Sequence, residues 1–299
     1  MTPTAGEGVT PRAPQAGPAS RARAGDRRSF TLALGGGGAR GLAHIAMLEA
    51  LDELGAKPRL IAGSSIGAAI GAAFAAGISG KDIRRHVVSL VHDRGDVFRR
   101  MMAARTGGFA TLLRAPLGNP LLIDAEKFCA AFLPPDIPET FEELAFPLRV
   151  VTTDYYGRVA VAFDSGPLRP ALAASMAVPG LVRPVRIGER VLVDGAAADP
   201  LPFDGLRGLA DFVVAIDTSI GPSATRGIPE PWEALFSTIQ IMGHALVAEK
   251  LKAGTPEIIV RPNVGAFRLL DFLQASAVLR AAAPAKEELK AKLAAMLQG

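Results

Sequence analysis

A short pattern between an apolar run and a run of small residues places the tightest limit on the fold. Gly63-x-Ser65-x-Gly67 follows residues 60–61 and precedes residues 68–77, which are typical of a helix. Between a strand and a helix, this pattern predicts a nucleophile elbow, a sharp turn that exposes a serine hydroxyl. The flanking glycines are required because a Cβ atom would collide with the neighbouring strand or helix. A glycine- and serine-rich loop before an alanine-rich helix is the alternative interpretation.

A second glycine-rich turn lies between an apolar strand at residues 29–34 and a helix at residues 42–54. The turn consists of Gly35, Gly36, Gly37, Gly38, Ala39, Arg40 and Gly41. A flexible connector is one interpretation, although four consecutive glycines are entropically costly in that role. A dinucleotide site is the second, because Gly36-x-Gly38-x-x-Gly41 fits its fingerprint. An oxyanion hole is the third, since free amides before a helix favour negative charge.

The second strand helps to separate these interpretations. A dinucleotide site needs an acidic residue at the end of that strand, about 20 residues further on, to hold the ribose. Here the strand at residues 59–62 runs into Gly63, Ser64 and Ser65 and offers no acid. Two adjacent parallel strands would place both turns at the same sheet edge. The sequence therefore favours an oxyanion hole that serves Ser65.

Two polar side chains follow the glycines. Arg40 is either a solvated residue at a helix end or a group that shapes the loop or binds a phosphate head group. His44 lies one helical turn later, and we expect it to be packed and hydrogen-bonded rather than catalytic.

Ser65 needs a base, because an isolated serine hydroxyl is a poor nucleophile at neutral pH. Ser65, Asp194 and His244 have the chain order of an α/β-hydrolase triad. However, His244 lies in the middle of a helical pattern, and the elbow follows only one strand–helix unit, which is too early for that fold. Asp194 follows an alternating strand and precedes Gly195, and an Asp–Gly surface turn is its alternative interpretation. Combined with the elbow, it favours a Ser65–Asp194 dyad with Asp194 as the general base.

Strand and helix patterns alternate in both halves of the chain and predict an α/β fold of three layers, with a mostly parallel central sheet and helices on both faces. The remaining predicted strands are at residues 148–154, 158–163, 182–187, 190–193, 211–218 and 258–260. The remaining predicted helices are at residues 80–91, 123–132, 168–176, 231–250 and 271–297, the last with a break near Pro284. Residues 148–163 and 182–193 each form a predicted hairpin.

Composition limits the partners of the chain. Of 299 residues, 33 are Lys or Arg and 29 are Asp or Glu, and much of the net charge of +4 comes from the first 30 residues. A nearly neutral body with 6% aromatic residues argues against a nucleic-acid partner, which only the basic tail would support. The single Cys129 excludes an intramolecular disulfide framework and a multi-cysteine metal site, and is expected to be buried.

The chain is expected to divide into a tail and a globular body. Residues 1–28 are rich in Pro, Gly, Ala and Arg and predict a disordered tail before one domain at residues 29–299. No signal-peptide pattern is visible, and the uncharged residues 60–78 are too small for a membrane span, so a cytoplasmic location is expected. Residues 81–146 are either ordinary solvated helix and loop or a cap over the site that contacts an anionic membrane surface.

Four blocks of the sequence resemble the patatin-like phospholipase family, of the small bacterial type. Its oxyanion motif G-G-G-x-R/K-G is matched at residues 36–41, G-x-S-x-G at 63–67, A-S-x-x-x-P at 174–179 and D-G-A/G at 194–196. Residues 269–272 are similar to its C-terminal part. The resemblance implies a patatin-like α/β/α fold and hydrolysis of fatty-acyl lipid esters by a Ser–Asp dyad, without a metal or other cofactor. One position departs from the pattern, because Pro200 replaces a frequent Asn, and this puts the loop after Asp194 in doubt.

The residues and the resemblance together imply that Ser65 attacks an ester carbonyl and that Asp194 takes its proton. The expected oxyanion donors are the amides of Gly37 and Gly38, assisted by those of Gly36 or Ala39. The supporting residues are Arg40, Gly41, Gly63, Gly67 and Gly195. The expected substrate is a phospholipid, a lysophospholipid or another fatty-acyl ester, reached through peripheral membrane contact. A lipid-binding or regulatory protein that keeps the fold without catalysis is the alternative.

Overall fold

The structure is a computed structural model that describes residues 28–105, 123–219 and 228–298. Within these ranges one sheet contains β1 (Phe30–Leu34), β2 (Ile61–Ser64), β3 (Leu148–Asp154), β4 (Val159–Phe163), β5 (Val185–Ile187), β6 (Arg190–Asp194), β7 (Phe212–Ile216) and β8 (Ile258–Val260). The α-helices there are α1 (Ala43–Leu54), α2 (Ile66–Ala75), α3 (Gly80–His92), α4 (Arg94–Ala103), α5 (Ala125–Phe132), α6 (Leu168–Ser175), α7 (Pro231–Ala253), α8 (Ala275–Ala281) and α9 (Ala283–Gln298).

The sheet is parallel at its centre and antiparallel at one side. Its strand order is β5-β6-β3-β2-β1-β7-β8. Strands β2 and β6 pair with successive parts of one edge of β3, and β4 pairs with the opposite edge. The five strands from β3 to β8 in this order run parallel, whereas the β3–β4, β3–β6 and β5–β6 pairs are antiparallel. The expected mostly parallel sheet and both predicted hairpins are therefore confirmed.

The sheet is covered on both faces, as its sequence requires. Every residue of β1 and β7 is buried, which is typical of central parallel strands. One face packs mainly against α1, α2, α6, α8 and α9. On the other face the small side chains of Ala33, Ala62 and Ala215 lie side by side in register, beneath Phe203 and Val247 of α7. These alanines let the second layer approach closely, and the expected three-layer arrangement is confirmed.

Several predicted boundaries are wrong by a few residues. The strand expected at residues 59–62 is Ile61–Ser64, and the helix expected from residue 68 begins at Ile66. Both shifts have one reason: Gly63 and Ser64 continue the ladder to β3, so the turn is compressed onto Ser65 alone. The predicted break near Pro284 lies at Ala282, between α8 and α9.

Part of the predicted cap and tail lies outside the described residues. The cap positions that the structure describes, residues 81–105 and 123–146, contain most of α3, all of α4 and α5, and a short 3₁₀ turn at Phe141–Glu143. The tail predicted at residues 1–28 falls outside the described residues except for Arg28. Across the ranges that the structure describes, none of the helices combines the length and apolar character that crossing a membrane requires.

Candidate active site

The sheet register brings Ser65 and Asp194 together. Strands β2 and β6 pair with the same edge of β3 and approach each other end to end. Ser64, the last residue of β2, pairs with Val151, and Asp194, the last residue of β6, pairs with the adjacent Thr152. The residue after Ser64 and the side chain of Asp194 therefore meet where the two strands end.

The contact between the two side chains is short and buried. The Ser65 Oγ donates a hydrogen bond to Asp194 Oδ2 over 2.6 Å, and both residues are buried. The other carboxylate oxygen, Oδ1, accepts from the amide of Ala196 at 2.8 Å. Burial raises the pKa of Asp194 from 3.8 to about 6, because desolvation disfavours the charged form more than these two hydrogen bonds favour it. Asp194 is thus a carboxylate that can exchange a proton near neutral pH.

Ser65 occupies the strained turn that the elbow pattern predicts. Its backbone has φ 55° and ψ −126°, an unusual conformation for a residue with a side chain, immediately before α2. Its amide donates to Ser175 Oγ at 2.9 Å, and that hydroxyl donates to the carbonyl of Val151 at 2.6 Å. Ser175, from the A-S-x-x-x-P block, therefore ties the elbow to β3.

Close backbone approaches explain the glycines around the dyad. A Cβ on Gly63 would lie 2.5 Å from the Ala68 amide nitrogen of α2. A Cβ on Gly67 would overlap the carbonyl of Leu34, and one on Gly195 would overlap the carbonyl of Val151. These three positions accept only hydrogen because backbone atoms cannot move aside locally.

The glycine loop lies directly against Ser65. A Cβ on Gly36 would stand 3.5 Å from the Cβ of Ser65. The Gly36 amide, however, donates to the carbonyl of Pro200 at 2.9 Å, and the Ala39 amide donates to the carbonyl of Leu269 at 2.8 Å. Both amides are therefore used to hold the loop in this structure, and the expected assistance from Gly36 or Ala39 stays a prediction.

Gly37 and Gly38 differ from their neighbours. In the part of the chain that the structure describes, their amides donate to no protein acceptor. Gly38 has φ 56°, which favours glycine, and a Cβ on Gly37 would lie 2.5 Å from Thr218 Oγ1. The loop thus keeps two amides free of acceptors among the described residues, at a cavity that Ser65 also lines, and their role as an oxyanion hole stays a prediction.

His44 and Thr218 hold the loop from behind. His44 Nε2 lies 2.7 Å from the carbonyl of Gly35, and Thr218 Oγ1 donates to the carbonyl of Gly36 at 3.0 Å. Desolvation lowers the pKa of His44 to about 4, so the ring is neutral at neutral pH and Nε2 carries the proton that the carbonyl accepts. The expectation that His44 is packed and hydrogen-bonded is confirmed.

Arg40 is buried at the edge of the same site. Its side chain is 1% exposed, and its Nε and Nη1 atoms have no hydrogen-bond partner among the described residues. Burial lowers the pKa of Arg40 to about 10, which leaves the guanidinium charged at neutral pH. The neighbouring Gly41 packs on α2, since a Cβ there would overlap the Cγ2 of Ile66. Arg40 is therefore a buried positive charge that has no counter-ion among the described residues, and the interpretation as a solvated helix-end residue is wrong.

The alternative base, His244, does not reach Asp194. Its Nδ1 lies 3.4 Å from the hydroxyl of Ser219, while both carboxylate oxygens of Asp194 are used by Ser65 and Ala196.

Cys129 is buried as expected, and burial raises the pKa of its thiol to about 12. Among the described residues, His, Cys, Asp and Glu side chains form no cluster that could hold a metal ion.

A large apolar cavity opens onto Ser65 and Asp194. Its volume is about 640 Å³, and its lining is mostly apolar, with Arg40, Ser65, His86, Asp194, Gln240 and His244 among its polar residues. From Ser65 the cavity follows α2 past Ile66, Ala69, Ile70 and Ala73, which recur at helical spacing. Helices α3, α4, α5 and α7 and the segment around Leu270 supply further apolar walls. This shape and lining fit a long hydrocarbon chain beside the hydroxyl.

Sequence reasoning missed the residues that support the loop after Asp194. Thr153 Oγ1 donates to the carbonyl of Asp194 at 2.9 Å and accepts from the amide of Ala198 at 3.1 Å. Farther along, Asp199 forms an ion pair with Lys250 of α7. The departure at Pro200 leaves the loop intact, because its carbonyl still accepts from Gly36. A hydroxyl in a mostly buried strand is the signal that could have identified Thr153.

Comparison with known proteins identifies the family of this chain. A family model described as patatin-like phospholipase matches residues 32–207. The chain belongs to the patatin-like phospholipase family. The matched region begins in β1 and includes both glycine-rich turns and Asp194, while Thr218, α7 and Leu269 lie beyond it.

Individual members of the patatin-like phospholipase family share part of their length with this chain. An NTE family protein of Mycobacterium tuberculosis is 35% identical over 199 residues, which cover 66% of this chain and 51% of that protein. Lysophospholipase nte1 of Aspergillus fumigatus is 30% identical over 191 residues, 64% of this chain and 12% of that protein. The chain thus spans about half the length of the mycobacterial relative. The crystal structure of VipD from Legionella pneumophila aligns with a TM-score of 0.46 and 14% identity, over 90% of this chain and 67% of that one.

Proposed function

We propose that this protein is a serine lipid acyl hydrolase that cleaves the fatty-acyl ester bonds of phospholipids or lysophospholipids. The observation that carries the proposal is the 2.6 Å hydrogen bond from Ser65 Oγ to a buried carboxylate at the mouth of an apolar cavity. Membership of the patatin-like phospholipase family supports the same reaction class.

In the first half of the reaction, Ser65 Oγ attacks the ester carbonyl carbon and its proton passes to Asp194 Oδ2. The carbonyl oxygen becomes an oxyanion that the free amides of Gly37 and Gly38 stabilise. When this intermediate collapses, the carbon–oxygen bond to the leaving alcohol breaks, and the alcohol takes the proton from Asp194. A base whose pKa is raised to about 6 suits both transfers, because it accepts a proton readily and also releases it near neutral pH.

In the second half, water attacks the acyl–Ser65 ester. Asp194 takes a proton from that water, and the same two amides hold the second oxyanion. Collapse releases the fatty acid and returns the proton to Ser65 Oγ. The N-terminus of α2, which begins beside Ser65, adds a favourable partial positive charge in both halves.

Arg40 favours a substrate that carries a phosphate. A buried guanidinium without a counter-ion is costly, and an anionic ligand group removes that cost. The residue lines the cavity next to the oxyanion loop, so it can contact a head group while the acyl chain lies along α2.

Replacing Arg40 with Met is expected to raise KM for a lysophospholipid by about tenfold while KM for an uncharged ester of the same chain length stays unchanged. Arg40→Lys, which retains the charge, serves as the matched control, and an equal loss on both substrates would argue against a phosphate contact.

A lipid panel tests the reaction itself. Purified protein is incubated with phospholipids, lysophospholipids and neutral esters beside Ser65→Ala, and the products are identified by mass. We expect free fatty acid and the matching alcohol from the wild type and nearly none from the variant. Turnover above a few per cent in Ser65→Ala would refute the assignment of the nucleophile.

A further inference from the structure

Helix α7 has an uncharged solvent face. No Asp, Glu, Lys or Arg occurs between Glu233 and Glu249. Large apolar side chains nevertheless face solvent in this stretch: Leu235 is 46% exposed, Ile241 67% and Met242 61%. By contrast, the exposed positions of α9, also at the surface, include Glu287, Glu288 and Lys292 and no large apolar side chain. The α7 face is therefore not an ordinary solvated helix face.

The exposed face of α7 is continuous with the cavity. Phe236 and Ile239 on the inner side of the helix line the cavity, and Met242 belongs to both the lining and the exposed face. Across the opening, Leu270 and Leu273 are also exposed and line the cavity. Met242, Leu270 and Leu273 thus connect the apolar cavity wall with the outside of the protein.

The charges that border this face are paired with one another. Arg268 lies 3.6 Å from Glu233 at one end of the face, and Lys252 lies 2.7 Å from Glu249 at the other. Among the described residues, these two pairs add no net charge to the border, which fits an uncharged partner better than a strongly anionic one.

We propose that the α7 face, defined by Leu235, Ile241, Met242 and Leu246, inserts into the surface of a lipid bilayer and places the cavity mouth against the lipid. The inference rests on the proposed function, because a cavity that receives acyl chains has to be loaded from lipid. Insertion lets an acyl chain slide from the bilayer along Met242 into the cavity without crossing water. Because apolar contacts dominate, binding needs no anionic lipid and resists salt.

Vesicle sedimentation with the full chain tests this surface. The Ser65→Ala variant serves as the background, so that hydrolysis does not alter the vesicles, which consist of zwitterionic phosphatidylcholine. Replacing Ile241 or Leu235 with Glu is expected to lower the partition coefficient by about tenfold or more, since a buried charge opposes insertion. Val159→Glu is the matched control, because Val159 is 54% exposed on β4 and lies outside the α7 face and the cavity lining. Raising NaCl from 0.1 to 0.5 M is expected to leave binding unchanged.

A second measurement separates docking from chemistry. A protein that retains Ser65 and carries only Ile241→Glu should hydrolyse a water-soluble short-chain ester at the normal rate. It should hydrolyse a bilayer substrate at least about tenfold more slowly. Equal partition coefficients for the Ile241→Glu and Val159→Glu proteins would overturn the proposal. So would a dimer that Ile241→Glu converts to monomer without a change in vesicle binding, since a second copy would then cover the face. If the wild type hydrolysed no lipid but still bound vesicles through Ile241, the proposed reaction would fail and the docking surface would stand.

Discussion

The floor and the walls of the cavity are built in different ways. The floor consists of Ser65, Asp194 and the glycine loop, and strand ends and backbone hydrogen bonds fix its positions. The walls consist of apolar side chains from α2, which lies in the core, and from other helices that contribute little to it. Helix α4 has no buried residue, and α3 buries only Gly80 and Ile83. The geometry of the reaction is thus set by the sheet, whereas the fit to the substrate is set by side chains that can vary.

This contrast predicts which kinetic constant each region controls. Atoms of the floor change their interactions between substrate and transition state, so floor variants should lower kcat. Wall residues contact the acyl chain in both states, so wall variants should alter KM and chain-length preference. The following variants are ordered from the largest expected effect to the smallest.

Replacing Asp194 with Asn should lower kcat by about 10³-fold or more, because the amide has nearly the same shape but cannot accept the Ser65 proton. Steady-state hydrolysis of a short-chain ester measures the loss, and circular dichroism checks the fold. A variant that keeps more than a tenth of the activity would show that Asp194 is not the base.

Replacing Gly37 with Ala should lower kcat by about 10²–10³-fold, because the new Cβ meets Thr218 Oγ1 at 2.5 Å and moves a free amide away from the oxyanion. Gly205→Ala is the matched control, since its Cβ would approach only the Arg149 side chain, at 3.8 Å. KM for the same ester should stay within about twofold in both variants. Equal activity of the two proteins would remove Gly37 from the oxyanion hole.

Replacing His44 with Leu should lower kcat by about tenfold at unchanged KM, because the Gly35 carbonyl loses its buried donor and the loop above Ser65 loosens. In His44→Gln the amide nitrogen can take the place of Nε2, so most of the activity should return. If His44→Gln failed to restore kcat although both variants had the same thermal stability, loss of the hydrogen bond to Gly35 would not explain the lower kcat.

The pH profile tests the floor without a mutation. Since Asp194 must be ionised to act as a base and its pKa is about 6, kcat/KM should rise with pH through about 6 and be about tenfold lower at pH 5 than its full value. The sign for stability is the opposite. The folded state binds this proton more tightly than the unfolded chain, so the stability that Asp194 contributes at low pH is lost as pH rises through about 6. A kcat/KM profile with its midpoint near pH 4 would contradict a buried carboxylate as the base.

The smallest expected effect belongs to a wall position. Ala73 lies two turns beyond Ser65 on α2, roughly 12 Å along the helix at 1.5 Å per residue. Ala73→Leu should lower the ratio of sixteen-carbon to eight-carbon ester turnover by about fivefold, because the cavity is shortened. Ala69→Leu, one turn closer to Ser65, should disfavour eight-carbon chains as well. The same chain-length ratio in both variants would show that the acyl chain does not follow α2.

The sequence predicts the floor better than the walls, for a physical reason. Glycines at Gly63, Gly67 and Gly195 are local signs of close backbone approach, and they mark the turns that carry Ser65 and Asp194. That the two residues meet depends on the pairing of β2 and β6 with β3. The sequence joins them only through the need of Ser65 for a base and through the family resemblance. The fate of the Gly36 amide could not be predicted, because its acceptor at Pro200 is distant in the chain.

The exposed face of α7 could not be predicted from the sequence either. An uncharged stretch between Glu233 and Glu249 is visible in the sequence, but an apolar helix all round usually indicates a buried core helix. Only the packing of Val247 against the sheet shows which side of α7 is buried and which is exposed. Likewise, Arg40 reads as a surface residue until its burial is known.

The central claim is that Asp194 activates Ser65 for attack. Intact-mass spectrometry after reaction with a fluorophosphonate, followed by peptide mapping, tests it directly. We expect one adduct per chain, on Ser65, in the wild type and essentially none in Asp194→Asn over the same time. Labelling of another residue, or equal labelling of Ser65 in both proteins, would contradict it.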